Sequence, residues 1–360
     1  MAFPFSEDHD MIREAARGFL QDVYDGGKGP ERIYEAGIGF DAAGWKSFAA
    51  ELGMAGIAID EDYGGAGLGD LGRVVIMEEL GAALSSIPFS PTCTISADMI
   101  SAFGTDEAKR DWLPKIATGE VLIAYTDGHD ALTINEGKLS GRVNSVLYGV
   151  QADLLLMSLR SGDRLKLIGI PKTVDGVSAN AIETMDPTRS LSNVELENVA
   201  LSDVLILGEG ALTQFDKVVK TSFITLAAEC VGGAQKCLEM TVEYAAQRVQ
   251  FGRPIASFQA IKHRCADMFI MIEAARSAVY AAATADESNK VEAALIAKAY
   301  ASDAFFEVAG HAIQLHGGIG FTWEYPLHYF FKRARANRAI FGSSARDYAR
   351  LADNLLGDAA

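Results

Sequence analysis

Apolar and polar positions divide the chain into three stretches with different periods. Over residues 5–120 the apolar side chains recur at the spacing of amphipathic helices. The clearest run lies within residues 5–23 and consists of Met11, Ile12, Ala15, Phe19 and Leu20. The same pattern predicts further helices over residues 43–52, 71–83, 92–103 and 106–117. The first stretch is therefore predicted to be helical.

The pattern changes at residue 121 and again near residue 211. Between them lie short apolar runs split by Gly, Asp and Asn, which predict a small antiparallel sheet or barrel. Long striped helices are then predicted over 214–250, 257–285, 290–315, 324–337 and 343–356. Long helices of this kind favour an antiparallel bundle. We predict a mostly α fold with an N-terminal helical domain (1–120), a β domain (121–210) and a C-terminal helical bundle (211–360).

Composition and charge narrow the classes of partner. The net charge is -16 and no polybasic run is present, so nucleic acid and anionic membranes are poor candidates. The sequence has no stretch of 18 apolar residues and no signal or transit peptide pattern, which predicts a cytoplasmic protein without a membrane span. The cysteines lack CxxC spacing and are predicted to be core residues, with no metal site. They are Cys93, Cys230, Cys237 and Cys265.

The first segment with candidate chemistry joins two predicted helices. It reads Arg248-Val-Gln-Phe-Gly-Arg-Pro-Ile-Ala-Ser-Phe-Gln259, and Pro254 prevents the first helix from continuing. Arg248 and Gln250 lie close to the start of the next helix, and a guanidinium group offers a planar pair of donors suited to phosphate. The alternative is an ordinary helix corner with a solvated arginine.

The second segment is a helix end rich in glycine. It reads Gln314-Leu-His-Gly-Gly-Ile-Gly320, with Gly317 and Gly318 after His316. Glycines let a backbone approach a ligand closely, although a glycine that only ends a helix is the more common explanation. His316 either contacts a nucleotide or fills the helix end, and we favour the second interpretation.

Together the two segments resemble the C-terminal bundle of the acyl-CoA dehydrogenase superfamily. The motifs are R-x-x-F-G-x-x-I-x-x-F-Q and Q-x-x-G-G-x-G-F, and upstream GWKSFAAELGMAGIAIDEDYGGAG and MEELGAAL resemble the family's N-terminal domain. The resemblance implies a helical domain, a small antiparallel β-barrel and a four-helix bundle, with FAD bound across a dimer interface. It implies that Arg248, Gln250 and Phe251 lie nearest the pyrophosphate. Gln259, Gln314, Gly317 and Gly318 match the positions that contact the neighbour's adenosine.

Two family motifs of the β domain are degraded. A segment like L-T-E-P-x-x-G-S-D, which touches flavin and substrate in the family, is shortened here to residues 125–130, YTDGHD. The tripeptide W-I-[ST], which packs against the flavin ring, aligns with Ser145, Val146 and Leu147. The tryptophan and the hydroxyl are both lost.

The usual catalytic base is also missing. The family's reaction requires a carboxylate close to the α-carbon of an acyl thioester. The two positions that supply this Glu in family members match Gly342 and Ser222, and neither residue is an acid. Glu229, seven residues beyond Ser222, is a weak candidate for a relocated base. A polar residue satisfied inside the bundle is the more common explanation.

These losses affect the flavin ring and the base, whereas the positions for a neighbour's FAD are retained. This asymmetry predicts a hetero-oligomer in which a sister acyl-CoA dehydrogenase subunit supplies the ring pocket and the Glu for an acyl-CoA substrate. The chain resembles a subunit of the α2β2 dehydrogenases of bacterial steroid side-chain catabolism. One alternative is a self-sufficient homomer that uses Glu229, and another is a flavin-free scaffold subunit. Oxidase or hydroxylase chemistry on the same fold is a more distant alternative.

Overall fold

The computed structural model describes residues 3–24, 28–37, 39–128 and 130–357. The chain forms two compact units, each assembled from separate stretches. The bundle unit comprises Met1–Arg32, Val74–Ser85 and Phe223–Ala360, and the sheet unit comprises Ile33–Arg73 and Ser86–Ser222. His129, in the shortened motif of the predicted β domain, lies outside the described residues. The three-domain division of the sequence stays a prediction.

Helices occupy most of the described chain. Helices α1 to α12 span Glu7–Tyr24, Lys28–Ala36, Ala42–Lys46, Gly69–Ala82, Ala97–Phe103, Asp106–Ala117, Leu212–Thr221, Phe223–Gln247, Gln259–Ala283, Lys290–His316, Leu327–Asn337 and Ser344–Leu356. Strands β1 to β10 span Ile123–Asp127, Leu132–Asn135, Lys138–Leu147, Leu154–Ser161, Arg164–Pro171, Val177–Ala181, Leu191–Ala200, Leu205–Ala211, Val249–Gln250 and Arg253–Pro254. The predicted mostly helical fold with a central β region is confirmed.

The bundle unit is built on the long helices α8, α9 and α10. Helix α9 buries one stripe at helical spacing, namely Met268, Ile272, Ala275, Val279 and Ala282. Helix α10 is buried on more of its surface, so it forms the centre of the unit. Residues 74–82 of α4 cross α8 closely, because a Cβ added at Gly232 would lie 1.8 Å from the Glu78 carbonyl oxygen.

The sheet unit contains two four-stranded sheets that share one apolar core. Their strand orders are β1-β4-β5-β8 and β2-β3-β7-β6. All neighbouring pairs are antiparallel except β1 and β4, which are parallel. Side chains from both sheets meet in the core, among them Leu139, Leu155, Met157, Ile168 and Val194.

Among the described residues, the strands do not close into the barrel that we predicted. The edge strand β1 pairs with a side chain where a closed barrel would have another strand. The Thr92 hydroxyl accepts the Ile123 N–H at 3.2 Å and donates to the Ile123 carbonyl at 3.1 Å. Thr92 thus satisfies both backbone groups of Ile123 at this edge of the sheet.

The predicted helix over 214–250 is also interrupted. Helices α7 and α8 are separated at Ser222. The hydroxyls of Thr221 and Ser222 donate to the carbonyls of Val218 and Val219 at 2.9 and 2.6 Å. Such bonds compete with the helical ladder and help a helix to break. Across the described residues, no helix is both long and apolar enough to cross a membrane.

Candidate functional site

The seven sequence-predicted contact residues lie at one end of the bundle unit. Three follow the end of α8, Gln259 begins α9, and three lie at the end of α10. The ends of α8 and α10 meet because the Tyr244 ring stacks on His316, with centroids 4.3 Å apart. All seven residues are exposed: Arg248, Gln250, Phe251, Gln259, Gln314, Gly317 and Gly318. Two segments that are distant in sequence therefore share one surface.

A tight hairpin follows α8. Strands β9 and β10 pair antiparallel, and Phe251 and Gly252 at the turn have φ of 54° and 76°. Both values are left-handed, as a type I′ turn requires, and this conformation is unusual for phenylalanine. Phe251 is nevertheless 91% exposed. The hairpin thus presents an aromatic ring to solvent beside Arg248.

Arg248 has a fixed backbone and a free side chain. Its N–H donates to the Tyr244 carbonyl at 2.8 Å, and its own carbonyl accepts the N–H of Ile255 at 2.8 Å. Among the described residues, its guanidinium makes no hydrogen bond or ion pair. The side chain is therefore available to an anion.

The glycine turn ends α10 at Gly317. This residue has φ 64° and ψ −140°, a combination that is essentially restricted to glycine. A Cβ added at Gly317 or Gly318 would meet no atom within 4 Å, so the space beside the turn is open. The Gly317 N–H bonds back to the Ile313 and Gln314 carbonyls of α10, so the turn offers a ligand open space and not this donor.

His316, which directly precedes the glycine turn, is buried and held in place by α10. It is 3% exposed, and its Nδ1 lies 2.7 Å from the Ala312 carbonyl oxygen, to which it donates. Its Nε2 is buried and has no hydrogen-bond partner among the described residues. Burial lowers the pKa of His316, which keeps the ring neutral near pH 7. The sequence placed His316 beside the glycines but did not reveal its stack with Tyr244.

The groups at this end fit one half of a dinucleotide. Arg248 offers a planar pair of donors, and the side-chain amides of Gln259 and Gln314 add donors and acceptors. Gln250 donates to the neighbouring Val249 carbonyl at 2.7 Å and keeps its amide oxygen free as an acceptor. This donor set suits a pyrophosphate and a purine edge. The exposed Phe251 ring suits a flat base.

The first family position for the catalytic Glu contains a buried structural cluster. Gly342 has φ 103°, and its carbonyl accepts a hydrogen bond from Lys298 Nζ at 2.5 Å. The same Nζ lies 2.6 Å from Asp347 Oδ2, and both side chains are fully buried. Phe223 stacks on Phe341 at 5.3 Å. No carboxylate projects from the position of Gly342.

Ser222, at the second family position, and Glu229 both form bonds to other groups inside the protein. Ser222 is buried and donates to the Val219 carbonyl at 2.6 Å. Glu229 is 3% exposed, and its Oε1 lies 2.7 Å from Nη1 of Arg333, which is 2% exposed. The carboxylate of Glu229 is thus neutralised inside the bundle unit.

Strand β3 is distorted where the family has its flavin-ring tripeptide. The register with β7 shifts between Val143 and Val146, and Ser145 has φ 60°. A bulge at this point re-aims the side chains of the strand. Near the end of β1, the Ser158 hydroxyl donates to Asp127. A bulge of this kind cannot be read from the sequence, because Ser145 is an ordinary strand residue.

The bundle unit also has a cavity of about 600 Å³. Much of its wall consists of paired charges. Arg13 Nη1 lies 2.8 Å from Glu78 and 3.2 Å from Glu79, and Arg17 Nη2 lies 2.8 Å from Glu79. The pairs join α1 to α4 and stabilise the unit.

Two family models match the chain at its two ends. Residues 6–120 match the acyl-CoA dehydrogenase N-terminal domain, and residues 217–356 match the acyl-CoA dehydrogenase C-terminal domain. The chain is 33% identical over 346 residues to acyl-CoA dehydrogenase IpdE2 of Mycobacterium tuberculosis, with 96% of each chain covered.

Solved structures of acyl-CoA dehydrogenases also match the chain. Butyryl-CoA dehydrogenase from Megasphaera elsdenii is 26% identical, with a TM-score of 0.90 and coverage of 99% of this chain and 100% of that chain. A steroid acyl-CoA dehydrogenase, Tcur3481-Tcur3483, is 28% identical, with a TM-score of 0.82 and coverage of 97% and 98%. These matches support FAD as cofactor and oxidoreductase chemistry. This chain therefore belongs to the acyl-CoA dehydrogenase family.

Proposed function

We propose that this chain is the FAD-sharing subunit of a hetero-oligomeric acyl-CoA dehydrogenase. Its bundle end contributes the site for the pyrophosphate and adenosine of FAD. A sister subunit contributes the flavin-ring pocket and the catalytic Glu. The complex desaturates an acyl-CoA thioester between the α- and β-carbons.

Each group in this division has a chemical role. Bound FAD supplies the hydride acceptor of the reaction. Arg248 balances the charge of the pyrophosphate locally, because the acidic chain as a whole does not attract it. Gln259 and Gln314 orient the adenosine. Phe251 covers apolar surface of the nucleotide or of the sister subunit.

The observation that carries the proposal is the contrast between the two sets of positions. The guanidinium of Arg248 is exposed and makes no ion pair among the described residues. At the position of the family base, the Gly342 carbonyl is bonded to a buried ammonium. An intact donor set beside a position without a carboxylate is the arrangement expected of a chain that completes another subunit's site.

The substrate and the assembly are narrower parts of the same proposal. The similarity to a steroid acyl-CoA dehydrogenase named for two chains favours a CoA ester of a steroid side chain. It also favours an α2β2 assembly with a homologous sister chain. We place this enzyme in the cytoplasm.

A self-sufficient enzyme is the second candidate. It would use Glu229 as base, and the chain does contain this acid on α8. Glu229 would first have to leave Arg333, and separation of a buried ion pair is costly. A flavin-free scaffold is the third candidate, and it leaves the exposed donor set without a ligand.

Expression of the chain alone and together with its sister subunit tests the proposal. We expect the isolated chain to contain little FAD and to have no acyl-CoA dehydrogenase activity, and co-expression to restore both. Flavin absorbance and acyl-CoA-dependent dye reduction measure the two properties. A flavin-loaded, fully active homomer would contradict the proposal.

Substitutions separate the three candidates. Arg248→Ala should weaken FAD binding by the complex about tenfold or more, the effect of one charge-assisted hydrogen bond. Arg110→Ala, which removes an exposed arginine from α6, is the matched control and should leave FAD binding unchanged. Loss of turnover on Glu229→Gln in the isolated chain would favour the second candidate. Unchanged flavin content after Arg248→Ala would favour the third.

A further inference from the structure

We propose that Tyr244 is a positioning residue that holds the hairpin after α8 and the glycine turn after α10 in one fixed arrangement. The inference rests on the proposed function, because it concerns how the hairpin with Arg248 and the glycine turn are both positioned against one dinucleotide. Tyr244 itself makes no contact with FAD in this proposal.

Tyr244 contacts the residue that directly precedes each turn. Its carbonyl accepts the N–H of Arg248 at 2.8 Å, and Arg248 directly precedes the hairpin. Its ring stacks on His316 with an interplanar angle of 21°, and its hydroxyl donates to the His316 carbonyl at 3.4 Å. His316 directly precedes Gly317. The side chain of Tyr244 therefore links the last turn of α8, which leads directly into the hairpin, to His316, which is 72 residues away in sequence.

A third ring completes the support. Tyr325 lies 4.7 Å from the His316 ring and 6.1 Å from the Tyr244 ring. The bond from His316 Nδ1 to Ala312 fixes the orientation of the imidazole on α10. The three rings form a small core beneath an exposed surface.

The turns themselves provide little packing. Residues 249–254 are all exposed, as are Gly317 and Gly318. A mobile turn would lose conformational freedom on binding a ligand, and this loss weakens affinity. The stack under the turns removes part of that cost before FAD arrives.

Tyr244→Leu removes the stack, and Tyr244→Phe keeps the ring and removes only the hydroxyl. We expect Tyr244→Leu to weaken FAD binding to the complex with the sister subunit by about tenfold. Tyr244→Phe should weaken it by less than about threefold, because the 3.4 Å hydrogen bond is long. Titration of FAD into the flavin-depleted complex, followed by flavin fluorescence, measures both effects.

Amide hydrogen exchange on this chain alone provides a readout that needs neither FAD nor activity. Tyr244→Leu should accelerate exchange in residues 249–255 and 317–321 together. The matched control is Tyr280→Leu, which removes another half-buried tyrosine of the bundle unit, packed on Phe5 at 4.8 Å. This control should lower the thermal stability and leave exchange in the two turns unchanged. His316→Leu breaks the same stack from the other side and serves if Tyr244→Leu does not fold.

Unchanged exchange in both turns of Tyr244→Leu, or of His316→Leu in its place, would overturn the inference. Unchanged FAD affinity in a complex whose affinity falls on Arg248→Ala would also overturn it, and the proposed function would stand. If Arg248→Ala leaves FAD binding unchanged, the proposed function fails. In that case, amide hydrogen exchange in the two turns is the remaining test of whether Tyr244 holds both turns in place.

Discussion

Lys298 carries a positive charge into the core of the bundle unit. Its ammonium has two oxygen partners there, Asp347 Oδ2 at 2.6 Å and the Gly342 carbonyl at 2.5 Å. Burial of a charge is tolerated only when such partners are present. Lys298 on α10 thus fixes both α12 and the segment that would carry the catalytic Glu in a family enzyme.

Lys298→Met should lower the free energy of unfolding by about 3–5 kcal/mol, because it leaves the Asp347 carboxylate buried without its partner. Denaturation in urea, followed by circular dichroism, measures this change. The double variant Lys298→Met/Asp347→Leu removes both charges and should recover a large part of the loss. A single variant as stable as the parent chain would show that the pair is unimportant.

We expect His328 to make the stability of the chain depend on pH. Burial, followed by repulsion from Lys332, lowers the pKa of His328 to about 4. The unfolded chain has a histidine pKa of about 6.5, so it binds a proton between these values when the folded chain does not. The free energy of unfolding should therefore fall as the pH is lowered from about 6.5 to about 4.

His328→Phe should reduce this pH dependence, because the ring still packs against Trp323 and Tyr329 but binds no proton. Thermal unfolding from pH 8 to pH 4 provides the measurement. The difference between variant and parent at pH 8 reports packing alone. If the two chains lose stability in parallel on acidification, His328 does not contribute.

At the scale of elements, the crossing of α4 and α8 depends on two glycines. A Cβ added at Gly232 would lie 1.8 Å from the Glu78 carbonyl oxygen, and one added at Gly81 would lie 2.1 Å from the Glu229 carbonyl oxygen. Both contacts are with backbone, which cannot rotate away. The helices therefore touch along small residues, and each glycine permits the approach of the other helix.

Gly232→Ala should lower the free energy of unfolding by at least about 1–3 kcal/mol, the usual cost of overpacking. Gly310→Ala is the matched helical control on α10, because its added Cβ meets only Phe331 at 3.9 Å. That change should be neutral or stabilise by up to about 1 kcal/mol, since alanine favours a helix. Equal effects of the two substitutions would contradict the close crossing.

The sequence best predicts the helices in which apolar positions recur regularly along the whole element. Helix α6 has the predicted bounds Asp106–Ala117, and α10 ends one residue beyond its predicted end. Helix α2, Lys28–Ala36, was not predicted, because it is short and its pattern is interrupted by Pro30. At the open edge of β1, Thr92 bonds to the backbone of Ile123, a contact between residues that are distant in sequence. The hydrophobic pattern within one segment contains no information about such a contact.

For the candidate site too, some features could be predicted from the sequence and others could not. Its location at one end of the bundle follows from antiparallel long helices and two motifs near their ends. The stack of Tyr244 and His316 depends on side-chain conformations and could not be predicted from spacing. The buried bonds of Gly342 and Glu229 are likewise formed by residues on distant helices, Lys298 and Arg333.

At the scale of the whole molecule, the proposed sharing of FAD between subunits fixes a ratio of flavin to chains. If only sister subunits seat the ring, the complex should contain on the order of one flavin for every two chains. Flavin absorbance after denaturation, compared with the chain concentration, gives this ratio. A value near one flavin per chain would mean that both kinds of subunit bind a ring.

The bundle unit joins the N-terminal helix to the C-terminal third of the chain. Arg13 of α1 donates to Tyr280 of α9, and residues 33–73 and 86–222 belong to the other unit. A ribosome adds about 5–20 residues per second, so α1 waits on the order of ten seconds or more for α8 to be synthesised. During this interval only residues 74–85 of the rest of the bundle unit have been made, so the native surface for its apolar stripe is incomplete. Nascent chains of this protein should therefore be clients of chaperones that hold exposed helices until translation ends.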